Sequence, residues 1–181
     1  MTERREASET GARPTVDEEI CVIVPTIREW ECVRDYVANA RDHGFETDRL
    51  HFVLVTEEFC DTDAMREMFT ELGVSGRVFD GAARDAWFTD HGLSAYDHLI
   101  PAASHAQTSF GLLYLWAEGY ELGLFIDDDT RPHDDVDFFG RHMANLGYEG
   151  ELPAYASDEQ WVNVLGQNVD DHGLYPRGYP Y

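Results

Sequence analysis

Apolar residues along the chain fall into two patterns, short unbroken runs and longer stretches with three- or four-residue spacing. Ile20-Cys21-Val22-Ile23-Val24 is an unbroken run ended by Pro25, the pattern of a strand buried on both faces. Trp30, Val33, Val37 and Ala40 follow at helical spacing and Gly44 stops them, which predicts a helix from Trp30 to His43. His51 to Thr56 is again strand-like, Asp61 is placed to cap a helix reaching Leu72, and Gly76 to Phe79 forms a third short strand. From Gly81 to Pro101 no period is clean. Trp87, Phe88 and Tyr96 are interspersed there with Asp and His, which predicts a long surface excursion.

Ser104 to Gly119 carries the strongest helical pattern. Ser104 and Gln107 stand at capping-box spacing, and Ala106, Phe110, Leu113, Tyr114 and Ala117 form one stripe. Leu122 to Ile126 reads as another buried strand, a helix is expected from Asp135 to Leu146, and short strands near Ala154 and Val162. Strands alternating with helices predict an α/β fold with a mostly parallel sheet flanked by helices. Residues 1–18 carry no period and read as a disordered leader to a folded region over 19–181.

Charge narrows the possible functions. Acidic residues number 36 against 13 basic ones, a formal net charge of −23, which repels a phosphate backbone or an anionic membrane. Nucleic acid is therefore not an expected partner. Every basic residue is Arg, and Lys is absent. That removes the usual forms of the Walker-type nucleotide loop, the protein kinase site and Schiff-base or pyridoxal-phosphate chemistry, each of which uses a lysine. Excess acid without Lys is the composition of a protein kept soluble in a very salty cytoplasm, where screening suppresses self-repulsion; an acidic interaction surface is the alternative. Cys21, Cys32 and Cys60 lack zinc-ligand spacing and read as reduced thiols. No stretch reaches the roughly 18 apolar residues of a membrane span and no apolar targeting segment precedes Ile20, so no membrane span and a cytoplasmic location are expected.

Asp127, Asp128 and Asp129 directly follow the strand that ends at Ile126. Open α/β sheets bind ligands in the crevice beyond the carboxyl ends of their strands. On extended backbone Asp127 and Asp129 point the same way and can share a hard cation, with open positions left for phosphate oxygens, while Asp128 points elsewhere. Departure of a nucleoside diphosphate needs such charge neutralisation. A solvated turn capping the next helix is the alternative. An EF-hand is excluded because Pro132 and Phe138 stand where it needs Gly and Glu. A Walker B strand has no lysine loop to partner it. Asp127-Asp128-Asp129-Thr130 also resembles the opening motif of haloacid-dehalogenase-like phosphatases, although that family places it on its first strand.

Three segments together resemble the reversibly glycosylated polypeptide family, which includes UDP-arabinopyranose mutases and UDP-forming α-1,4-glucan-protein synthases. They are Val22-Ile23-Val24-Pro25-Thr26-Ile27-Arg28, Phe125-Ile126-Asp127-Asp128-Asp129 and Arg177-Gly178-Tyr179-Pro180-Tyr181, with a weaker match at Ser109-Phe110-Gly111. The resemblance implies a GT-A type nucleotide-sugar-binding fold, a UDP-sugar donor and Mn²⁺ or Mg²⁺ on Asp127 and Asp129. It places Thr26, Arg28, Asp128 and Arg177 at the nucleotide and its phosphates, the arginines suiting phosphate through their forked donors. Arg28 pairing with Glu29 or Glu31 on the surface is the alternative for that residue.

The chain departs from the family pattern at three places. Thr108 stands where self-glycosylating members carry an arginine, which argues against autoglycosylation and mutase activity. Thr56-Glu57-Glu58-Phe59 replaces an Asp-Gly-Asp-like turn; Glu57 is the candidate to accept from base or ribose, and two exposed acids are the alternative. Tyr181 falls inside the last motif, so the acceptor region is expected to be missing or supplied by a partner chain. His91, His98 and His105 recur every seven residues, but Pro101 breaks the helix that would align them. His133 is a candidate metal ligand or base, and Trp161 and Tyr175 are candidates for stacking on a base or sugar. The expected function is a metal-dependent glycosyltransferase-like protein using a nucleotide sugar; the alternative is a noncatalytic nucleotide-sugar-binding subunit.

Overall fold

The computed structural model describes residues 18–28, 30–102, 104, 106–146 and 150. The chain divides into units 1–148 and 149–181, and every element below belongs to the first. Residues 1–17 of the expected leader, the strands near Ala154 and Val162, and the candidates His105, Trp161, Tyr175 and Arg177 lie outside the described residues.

Four strands, β1 (Ile20–Pro25), β2 (Leu50–Val55), β3 (Ser75–Phe79) and β4 (Leu122–Phe125), form an all-parallel sheet in the order β3-β2-β1-β4. Five helices flank it: α1 (Cys32–Asp42), α2 (Thr62–Leu72), α3 (Gly81–Asp90), α4 (Gln107–Glu118) and α5 (Phe138–Leu146). The pleat divides the strand residues between two cores. Ile20, Val22, Val24, Leu50, Phe52 and Leu54 pack against α1, α2 and α5 on one face. Cys21, Ile23, Val53 and Val55 pack against α3 and α4 on the other. An α/β fold with helices on both faces of a parallel sheet is therefore present, as the alternation of elements predicted.

Local chemistry sets the element ends. Asp61 caps α2 by accepting from Ala64 N at 3.0 Å, and Gly73 closes that helix at φ 61°. Gly111 lets α4 lie close on the sheet, because a Cβ there would run into the Ile23 side chain.

Three expectations are corrected. Residues 81–101 are not an open excursion: they form α3, capped by Asp80 through Ala83 N at 2.8 Å, then a 3-10 turn over Ser94–Leu99. Trp87 and Phe88 are buried against Phe110 on α4. The long helix starts at Gln107, two residues later than the capping box implied. Ser104 Oγ instead donates to Pro101 O and accepts from Ala106 N, and the buried face is Gln107, Phe110, Gly111 and Tyr114, with Ala117 exposed. β4 is not buried on both faces. It forms one edge of the described sheet, and Phe125 and Gly123 are exposed.

Cys21 and Cys32 are buried and unpaired, and Cys60 is partly exposed. Burial pushes the Cys21 thiol up to about 12 and the Cys32 thiol up to about 11. An alkylating reagent at pH 8 is expected to label Cys60 in the folded protein and the other two only after denaturation. Mass spectrometry of the labelled peptides checks this, and fast labelling of Cys21 would contradict the packing of β1.

Candidate functional site

The sheet order reverses between β1 and β4: the chain steps outward from β1 to β3 and then returns to the other side of β1. Such a point leaves a crevice beyond the strands' carboxyl ends, because the loops from the two neighbours diverge. A cleft of about 490 Å³ opens there, within the roughly 300–1,000 Å³ usual for small-ligand sites. Thr26 and Ile27 line it from the end of β1, Glu57 and Phe59 from beyond β2, and Asp127, Asp128 and Asp129 from beyond β4. Gln107 and Thr108, the first residues of α4, complete it together with Ser104.

Ladder bonds continuing past the strands hold these side chains in place. Thr26 N donates to Val55 O at 2.9 Å, Thr56 N to Phe79 O at 2.8 Å and Ile126 N to Ile23 O at 3.0 Å. The Thr26 hydroxyl, itself buried, donates to Asp128 Oδ2 at 2.7 Å and ties the β1 end to the acidic turn. Asp127 opens a turn closed by Thr130, whose N–H and hydroxyl both donate to Asp127 O at 3.1 and 2.7 Å. With its hydrogen so used, Thr130 Oγ1 accepts from the Tyr36 hydroxyl at 2.9 Å. Burial pushes the Tyr36 phenol up, which keeps it a neutral donor. Arg131 fastens the far end by bonding Asp128 O at 3.0 Å and Asp35 at 2.6 Å. The acidic turn therefore hangs on α1 as well as on β4.

This geometry corrects the extended-chain argument. β4 ends at Phe125 and the acids occupy a turn, so strand alternation does not apply there and Asp128 faces the same cleft as Asp127 and Asp129. Asp127 and Asp129 are exposed and Asp128 is half-buried. Glu57 is not an exposed acid either: at 6% exposure it is buried, accepts from the Gln107 side-chain amide, and lies 3.8 Å from the Arg84 guanidinium.

Arg28 is exposed in the bend after β1 and does not line the cleft; its backbone N–H donates to Thr26 Oγ1 at 3.3 Å. His133 is exposed and lies outside the lining as well. His91 stacks on Trp87 at 3.9 Å and approaches Glu118 at 3.7 Å, an arrangement that locks α3 to α4, while His98 is exposed. Sequence reasoning missed Phe59, Gln107 and Arg84 as members of the site or its support. The polar Gln107 at the start of the helix was the available signal, and capping absorbed it.

Among the described residues no group of three or more His, Cys, Asp or Glu side chains is arranged to hold a metal ion. Two exposed carboxylates beside an open cleft nevertheless suit a hard divalent ion whose remaining positions are filled by water and ligand phosphate. Asp127 and Asp129 would be the carboxylates to face such an ion, since the Asp128 carboxylate already accepts from Thr26. No helix among the described residues is long and apolar enough to cross a membrane. Neither a scan against protein-family models nor a search of curated proteins gives a match to this chain.

Proposed function

We propose that the cleft binds the diphosphate of a nucleotide sugar, and that the protein is a GT-A type, metal-dependent glycosyltransferase-like protein of the reversibly glycosylated polypeptide kind.

 The supporting observation is convergence: Thr26, Glu57 and the Asp127–Asp129 turn, far apart in sequence, line one cleft at the point where the sheet order reverses. When a divalent ion is bound, Asp127 and Asp129 would hold it, and its charge would neutralise the diphosphate. The chain's own residues do the rest. Thr26 fixes the acidic turn, Glu57 offers an acceptor on the cleft floor, and Phe59, 75% exposed at the rim, offers an apolar face to a base or sugar ring.

Thr108 lines the same cleft and supports the second reading, a nucleotide-sugar-binding subunit that does not glycosylate itself. Under either reading the acceptor side is assigned to a partner chain or to residues beyond the described ones.

Calorimetry in multimolar KCl tests the site. With only two protein carboxylates available, Mn²⁺ alone and UDP alone are each expected to bind weakly, and each is expected to strengthen the other by about tenfold or more. Equal UDP affinity with and without Mn²⁺, in a protein shown to be folded, would remove the metal-dependent reading.

A further inference from the structure

Six polar or charged residues are buried among the described residues, and five of them, Thr26, Thr56, Glu57, Arg84 and Gln107, gather at or against the carboxyl ends of β1 and β2. The sixth, Asn39, is explained by the fold: its amide donates to His133 O and Val136 O, and its carbonyl accepts from Phe138 N. The cleft-side group is not so accounted for. One terminal nitrogen of Arg84 and the Thr56 hydroxyl have no hydrogen-bond partner among the described residues although both are buried. A buried ion pair stabilises a fold poorly compared with apolar side chains of the same size, and Trp87 and Phe88 already seat α3 on the core. The pair is therefore better understood from the side of the cleft.

Glu57 lines the cleft and Arg84 does not. The Gln107 amide holds one carboxylate oxygen, and the Arg84 guanidinium stands 3.8 Å from the other. We propose that Arg84 is a positioning residue that acts on the ligand through Glu57, and that the ligand group meeting Glu57 is a hydrogen-bond donor of the nucleoside. The inference rests on the nucleotide reading above. A carboxylate paired with a guanidinium accepts and does not donate, and it repels phosphate, so the N–H or O–H end of the ligand belongs here and the phosphates belong at the divalent ion that Asp127 and Asp129 would hold. A cation behind the carboxylate, out of reach of the ligand, fixes its direction without competing for its cleft-side lone pairs.

The test compares two probes, UDP and inorganic pyrophosphate, each titrated with Mn²⁺ present. Arg84→Met is expected to weaken UDP binding by about tenfold or more, the worth of a hydrogen bond to a charged group, and to leave pyrophosphate binding unchanged. Arg84→Lys is expected to restore part of the loss. If Arg84→Met fails to fold because the Glu57 carboxylate is left buried without the guanidinium, the Glu57→Gln, Arg84→Met double variant, which buries no carboxylate at that place, is expected to show the same selective loss. Unchanged UDP binding, or equal losses for the two probes, would overturn the inference and leave the metal site standing. Failure of the wild type to bind either probe would overturn the proposed function itself.

Discussion

Replacing Asp127 and Asp129 together by asparagine is expected to abolish Mn²⁺-dependent UDP binding while the protein stays folded. Asparagine keeps the shape of each side chain and removes its charge, so the hard cation loses both of its proposed protein anions. A loss on the order of 100-fold or more, about 3 kcal/mol, is expected. The fold should tolerate the change, because the turn is held by the Asp127 carbonyl and by Thr130, Tyr36 and Arg131. Removing two negative charges from a chain at −23 also relieves self-repulsion, so the melting temperature at low salt should stay level or rise. Calorimetry for binding and a thermal melt for folding check the two halves. Wild-type affinity in the double variant would make Asp127–Asp129 a solvated turn and nothing more.

The largest effect on stability is expected from Phe110→Ala. Phe110 is fully buried, and its ring meets those of Phe79, Trp87 and Phe88 at centroid distances of 5.0, 5.3 and 5.9 Å. Truncating a buried Phe costs about 3–5 kcal/mol through lost burial and the cavity left behind, against about 5–15 kcal/mol of stability for a whole domain. The same helix carries Gln107 and Thr108 into the cleft, so loosening α4 should also weaken ligand binding. Leu112→Ala is the control, because Leu112 lies on the same helix at 51% exposure and its loss should stay within about 0.5 kcal/mol. Denaturant titrations in KCl compare the two. Similar losses for both variants would show that α4 does not pack as described.

The strands were legible because β1 and β2 are buried on both faces and so present unbroken apolar runs, and α2 was legible because Asp61 announces it. α3 was not. Only Arg84, Trp87 and Phe88 are buried on it, two of them adjacent and one charged, so no helical period shows. Its cap, Asp80, was one acid among 36. The acidic turn was visible as a run of like residues after an apolar strand, but its conformation depends on Thr130, Tyr36 and Arg131, whose cooperation has no local signature. Glu57 shows the limit most clearly. Its partners, Arg84 and Gln107, lie on two other elements, and one of those elements had read as loop.

The pairing of β1 with β4 has a kinetic side. β1 and β2 lie close together along the chain and β3 follows soon after, whereas the hydrogen bond from Thr26 to Asp128 spans 102 residues. Closing so long a loop costs more entropy than closing the short ones, and contacts distant in sequence are slow to form. A chain that has assembled β1, β2 and β3 already owns most of its core, yet it lacks one wall of the cleft. Nascent molecules at that stage would be shielded from much of the fate of unfolded chains and still blind to ligand, so a ligand of the cleft would act as a clamp on the finished fold rather than as a guide toward it.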